Sequence, residues 1–278
     1  MFGFLCGSGA RVLREAADES THAPMLIHRT LLIAGLAATL VSGIAEASAA
    51  EPLHAHLFTR AFSPDFVATA DDSLPGERPR PVKIYFRTIE AGVVKIVSGK
   101  VVVADPFIGA DQQPLALDIT NGDYPVRLAV LQGTMGRGRV AFARLAVTER
   151  PVVRWETARP IDMHRDAENP DGDWGFTVDS GVAAFFDPAA GAAATNAAKA
   201  NVDVFDRWLE QGQNAGAKER GATGAFRLQI GSGAGTVVAF DAGWGDGVYS
   251  VYAGMDADGR LAAILADFDI IDWSKVTE

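Results

Sequence analysis

Five aspartates, Asp105, Asp179, Asp187, Asp246 and Asp267, stand beside Pro, Ser, Gly or Phe in segments that read as strand ends and turns. Brought together in one cleft, such carboxylates would hold a hard cation such as Ca²⁺ or Mg²⁺. They would otherwise divide into a general acid and a general base as their surroundings drive their pKa values apart. Taken singly, an aspartate before Pro or Gly is an ordinary turn former, because its side chain accepts hydrogen bonds from nearby backbone N–H groups. Asp246 stands out, since Gly245 and Gly247 leave the backbone open to close approach by a ligand. With Asp179 it forms the candidate catalytic pair, and Asp105, Asp179, Asp246 and Asp267 are the candidate metal ligands.

Around Asp246 the segment Gly243-Trp-Gly-Asp-Gly247 runs into the alternating strand Val248-Tyr-Ser-Val-Tyr252. Trp244 offers an indole face for a sugar or another flat ligand, or a packing surface over the flanking glycine backbone. Tyr249 and Tyr252 lie three apart, so on a strand they face opposite sides and form no common aromatic cage. Trp244, Asp246 and Tyr249 are the candidate ligand-binding residues.

Other reactive types are thinly placed. His54 and His56 form a lone His-x-His near the amino end, and His164 lies in an acidic loop where a His-carboxylate site is conceivable. Asn169-Pro-Asp-Gly-Asp173 and Asp256-Ala-Asp-Gly259 lack the spacing of a twelve-residue calcium loop. Ser180 is the one serine in a suggestive setting, and no histidine stands in a convincing position to activate it. The sequence holds no Gly-x-Ser-x-Gly elbow, no phosphate-binding loop ending in Gly-Lys-Ser/Thr and no His-Glu-x-x-His helix. No cofactor is identified from its motifs.

Short β-branched runs separated by Gly and Pro must position these residues: 82–87, 92–97, 100–105, 124–131, 139–147, 152–156, 176–181, 225–230, 235–240, 248–252 and 260–268. Glycines at 133–138 join 124–131 to 139–147 as a hairpin, and Asp256-Ala-Asp-Gly259 turns another. Val202, Phe205, Trp208 and Leu209 recur at helical spacing, predicting one helix from about Thr195 to Gln211, with the alanine-rich 188–194 as a loop or fraying lead. Residues 58–81 read as an extended lead-in. The expected fold is mainly β (α+β), with antiparallel sheets in a single domain and one inserted amphipathic helix.

The amino end reads as a targeting segment. Met25-Leu-Ile-His-Arg29 is basic, Thr30 to Val41 is apolar, and Ala47-Ser-Ala49 is a small-residue cleavage site. The apolar run falls short of the roughly 20 residues of a membrane span. The expected organisation is therefore 1–49 as a signal peptide, with translation starting at Met25, 50–92 as lead-in and first strand, and 93–278 as one β-rich domain. Export to the periplasm or outside the cell follows, with no stable membrane insertion after signal removal. Cys6, the only cysteine, falls outside the mature chain, so neither a disulfide nor a thiolate metal site is expected there. A net charge of −10 argues against nucleic acid, which needs a basic face.

A set of short strings occurs in order along the chain: Ser98-Gly-Lys, Ala104-Asp-Pro-Phe107, Asp123-Tyr-Pro-Val126, Arg139-Val-Ala141, Trp155-Glu156, Val178-Asp-Ser-Gly181 with Asp187, Gly243-Trp-Gly-Asp-Gly247, Tyr249, Gly254 and Asp267-Phe268. Together they resemble an uncharacterised bacterial family, domain of unknown function 4241, over roughly Val93 to Phe268. The resemblance departs at Asp241-Ala242, where the family usually has Ser-Ser, which turns attention from Asp241 to Asp246. It implies the fold and supplies no reaction. Two functional classes follow from the residues. One is an exported non-catalytic binding or protective module acting on a protein or small ligand. The other is a carboxylate-based hydrolase, with or without a metal ion, centred on Asp246 and Asp179.

Overall fold

The computed structural model describes residues 51–52, 54–74, 76–133, 136–163, 174–201, 203–204, 206–207, 210, 226–229 and 236–277. All lie within one compact unit, Ala47–Glu278. Helix α1 (Ala55–Arg60) leads into strands β1 (Ala68–Asp71), β2 (Pro81–Ile96), β3 (Val102–Ala104), β4 (Gly122–Gln132), β5 (Val140–Ala146), β6 (Arg154–Thr157), β7 (Gly175–Val178) and β8 (Val182–Phe186). Helix α2 (Pro188–Ala200) follows, then β9 (Phe226–Gln229), β10 (Thr236–Asp241), β11 (Gly247–Met255), β12 (Leu261–Asp267), a 3-10 turn (Trp273–Lys275) and β13 (Val276–Thr277). The strands form a nine-stranded sheet, β13-β1-β2-β4-β5-β12-β11-β6 with β7 also on β11, and a four-stranded sheet, β3-β8-β10-β9. Every pairing is antiparallel.

Side-chain alternation explains the layering. On β8, Ala183 and Phe185 point into the core between the sheets, while Val182, Ala184 and Phe186 point to the α2 side. On β10, Val238 and Phe240 take the first face and Val237 and Ala239 the second. A strand covered on both faces needs an unbroken apolar run, which is what Val182-Ala-Ala-Phe-Phe186 provides. The other face of the large sheet is covered by a cluster of Phe58, Phe66, Phe142, Trp155 and Trp273. Its rings meet at 4.8 Å between Phe58 and Tyr252 and at 5.7 Å between Phe142 and Trp273. Burial of each large ring contributes about 2–3 kcal/mol.

Three local expectations are corrected. The runs at 82–87 and 92–97 are one strand, β2, because the irregularity between Glu90 and Gly92 is absorbed as a bulge in the pairing with β4. The alanine-rich stretch after Asp187 is helix rather than a loop: Pro188 opens it, the Asp187 side chain accepts from the Ala189 N–H, and alanine is the best helix former. The lead-in contains α1 and β1, six and four residues long and too short to show a period. Of the predicted helical stripe, Val202, Phe205, Trp208 and Leu209 lie outside the described residues. Among the described residues, no helix is long and apolar enough to cross a membrane.

Candidate functional site

Two of the five aspartates are sealed inside the protein and consumed by backbone amides. Asp105, fully buried, accepts from the Phe107 N–H through Oδ1 at 2.9 Å. Its Oδ2 accepts from the N–H groups of Asp179 at 3.0 Å and Ser180 at 2.8 Å. Asp187, also fully buried, caps α2 with Oδ1, and its Oδ2 accepts from the Val97 and Ser98 N–H groups and the Ser98 hydroxyl, each at 2.8 Å. The two carboxylates bracket β8: one ties down the turn that enters it, the other the helix that leaves it. Buried carboxylates with three or four donors each are firm anchors, since charge-assisted hydrogen bonds are the strong ones.

A second arrangement is built on the turn between β10 and β11. Tyr249 is buried, and its hydroxyl donates to the Gly245 carbonyl at 2.9 Å, closing the turn from within. Burial raises its pKa, and the charges of Asp246 and Asp269 raise it further. Gly243 has φ +46 and presses on Phe268, leaving no room for a Cβ. That close approach forces the next residue, Trp244, outward, where it is 50% exposed. Arg139, from the start of β5, stacks its guanidinium 4.4 Å from the Trp244 ring centroid and donates from Nη1 to the Gly243 carbonyl at 2.9 Å. An exposed indole is thereby held in one orientation.

Trp244 walls a groove of about 250 Å³, with Ala70, Leu74, Ile270 and Ile271 as its apolar lining. Asp71, Asp72, Asp272 and Lys275 supply its charged lining. The Asp71 pKa is lowered, chiefly by the N–H of Arg80, and that of Asp272 chiefly by its hydrogen bond with Ser274. Both carboxylates are thus anions at neutral pH.

The remaining candidates take different positions. Asp179 and Asp246 are exposed, each one residue beyond the last β7–β11 pair, Val178 with Gly247. Asp267, at the end of β12, is partly exposed, and its Oδ1 accepts from the Asp269 N–H at 3.0 Å. The protein packed around its carboxyl nonetheless removes enough water to push its pKa up to about 7, with the Asp269 charge adding to the rise. Among the described residues no three His, Cys, Asp or Glu side chains gather as a metal site. Asp105 meets the 179–180 turn through backbone only. The Ser180 hydroxyl is buried without a hydrogen-bond partner among the described residues. His54 begins α1 beside Trp273, at 6.3 Å between rings, and His56 is exposed on that helix, so the pair does not sit on a strand. His164 lies outside the described residues.

Sequence reasoning gave Trp244 no partner and missed Arg139 and the groove. The string Arg139-Val-Ala141 carries the arginine, but its stacking depends on a turn about a hundred residues away. The groove is assembled from residues 70–74, 136, 244, 270–272 and 275, which the β2–β1–β13 pairing helps bring together. No curated protein and no solved structure matches the chain. A family model matches residues 94–266, from the end of β2 to near the end of β12, and so takes in the four-stranded sheet, most strands of the nine-stranded sheet, Asp105, Asp187 and the Trp244 turn. The chain belongs to the family described as protein of unknown function (DUF4241).

Proposed function

We propose that this chain is an exported, non-catalytic binding or protective module whose contact face is the Trp244 groove. One observation carries the reading: a half-exposed tryptophan is held by Arg139 against the wall of a mixed apolar and charged groove. Fixed aromatic area with a few charged groups beside it suits recognition of a small molecule or a protein side chain, because little side-chain entropy is lost on contact. Asp246 and Tyr249 serve this face indirectly, from the turn that presents the indole. Export rests on the basic, apolar and small-residue succession over 25–49.

Tryptophan fluorescence of the protein against panels of glycans and peptides, repeated on Trp244→Phe, tests the contact face. A ligand whose quenching disappears in the variant supports it, and quenching unchanged by the substitution places binding elsewhere. Mass measurement of the protein recovered from the periplasm or medium tests export. A chain beginning at Ala50 is expected, and recovery only from the cytoplasm removes that part of the proposal.

A second reading is supported by Asp179 and Asp246 standing at matched positions past the β7–β11 pairing, with the Ser180 hydroxyl beside Asp179 lacking a partner among the described residues. In that reading the two carboxylates act as a hydrolytic pair, alone or around a divalent cation. Calorimetric titration with Ca²⁺, Mg²⁺ and Zn²⁺ on the wild-type protein and Asp246→Asn separates the cases. Absence of heat in both proteins ends the metal version.

A further inference from the structure

The outer face of the large sheet carries a pair of arginines in unusual company. Arg127 on β4 stands directly opposite Arg144 on β5, and the lateral row continues from Glu90 on β2 to Leu265 on β12. Like charges directly opposite on neighbouring strands repel. Arg127 donates from Nε to Glu90 at 2.8 Å, and this is its ion pair. For Arg144, two residues from Phe142 and on the same face as that ring, there is no such partner among the described residues. Its guanidinium carbon sits 4.2 Å from the Phe62 ring centroid, and its Nε is buried without an acceptor among the described residues. Glu149 is near enough to attract Arg144 but makes no ion pair with it.

An arginine laid on an aromatic face at the border of an apolar cluster has lost water from part of its fork. Leaving such a charge without an acceptor is costly. Burial, followed by repulsion from Arg127, lowers the Arg144 pKa against the attraction of Glu149 and Glu90. The fork geometry of guanidinium matches planar carboxylate and tetrahedral phosphate, and two adjacent forks match either better than one. Glu90 occupies the Nε edge of Arg127, so its two terminal nitrogens are the groups available beside Arg144.

We propose that Arg144 and Arg127 form a binding site for a small oxyanion, a carboxylate or a phosphate, bridging the two guanidinium groups on the outer face of the large sheet. The site is independent of the Trp244 groove. The anion neutralises the repulsion across the β4–β5 pair and gives the terminal nitrogens of Arg144 an acceptor that the described side chains do not supply.

Calorimetric titration of the full chain with inorganic phosphate and, separately, with acetate tests this, in buffers matched in ionic strength with chloride. At least one anion is expected to bind with a Kd of about 1 mM or tighter, and to raise the melting temperature at saturating concentration. The tighter of the two identifies the source of the oxyanion. Arg144→Lys keeps the charge and removes the fork, and is expected to weaken binding by about tenfold. Arg144→Met is expected to abolish it. Should that variant fail to fold, as judged by circular dichroism, Arg127→Met carries the same expectation. The proposal is overturned by absence of binding of both anions at about 20 mM, or by binding that survives either methionine substitution unchanged.

Discussion

Asp105 Oδ2 lies 2.8 Å from the backbone nitrogen of Ser180, 75 residues further along the chain, and that hydrogen bond fixes the turn entering β8. The same oxygen accepts from Asp179, so one buried carboxylate sets the direction in which the exposed Asp179 side chain leaves the backbone. Asp105→Asn replaces an acceptor by a donor facing amide donors, in a place that water does not reach. A loss of about 2–4 kcal/mol of stability is expected. Urea melts of the two proteins measure it, and a difference under about 1 kcal/mol would show that the turn finds other acceptors.

Asp267 gives the fold a pH dependence of its own. Its folded pKa of about 7 lies above the ordinary carboxylate value, so the folded chain holds a proton that the unfolded chain releases. The stability tied to that proton is complete below about pH 4 and is lost progressively as pH rises to about 7. Asp267→Asn keeps the size and removes the titration. The variant is expected to be the more stable protein at pH 8, by on the order of 2 kcal/mol, and to lose most of that advantage at pH 4.5. Melting both proteins across this range is decisive, since a wild-type slope preserved in the variant assigns the titration to another group.

The glycines of the β10–β11 turn differ in what a methyl group would meet. At Gly243, with φ +46, a Cβ would stand 2.6 Å from Phe268 Cβ and 2.8 Å from its carbonyl oxygen. At Gly245, with φ +110, no atom lies within 4 Å of it. Gly245→Ala therefore meets backbone strain alone, about 1–2 kcal/mol, while Gly243→Ala adds a clash with the Cβ and backbone carbonyl of the fully buried Phe268 and is expected to cost about 3 kcal/mol or more. Chemical melts of the two variants rank them, and equal losses would mean that Phe268 moves aside freely.

What the sequence made legible depends on how local the cause is. The run 248–252 was legible as a strand because its cause is its own composition, whereas Val182-Ala-Ala-Phe-Phe186 was passed over, since a strand buried on both faces shows no alternation. The hairpin from β4 to β5 is likewise written in its glycines. The aspartates were visible as turn formers, but whether Asp105 captures its own turn alone or also one 75 residues away is decided by the β3–β8 pairing. The α2 helix was hidden because alanine carries no amphipathic period, and its strongest signal was the Asp187-Pro188 start. Arg139 and Trp244 meet only because Gly243 turns the chain against Phe268, a contact between segments that no spacing rule connects.

Arg139 orients Trp244 without being needed for the core, so the two residues separate recognition from stability. Trp244 is half exposed, and the cation–π contact between two surface groups is worth about 0.5–1 kcal/mol. Trp244→Ala is therefore expected to lower stability by no more than about 1 kcal/mol while removing any ligand quenching that depends on the groove. Arg139→Gln removes the stacked cation and leaves the indole in place. Acrylamide quenching of the Trp244 component, taken as the difference between each protein and its Trp244→Phe counterpart, should then rise, because the ring is freed on the side that Arg139 covers. Unchanged quenching would mean that the Gly243 turn alone holds the indole, and the arginine would lose its role in presenting the contact face.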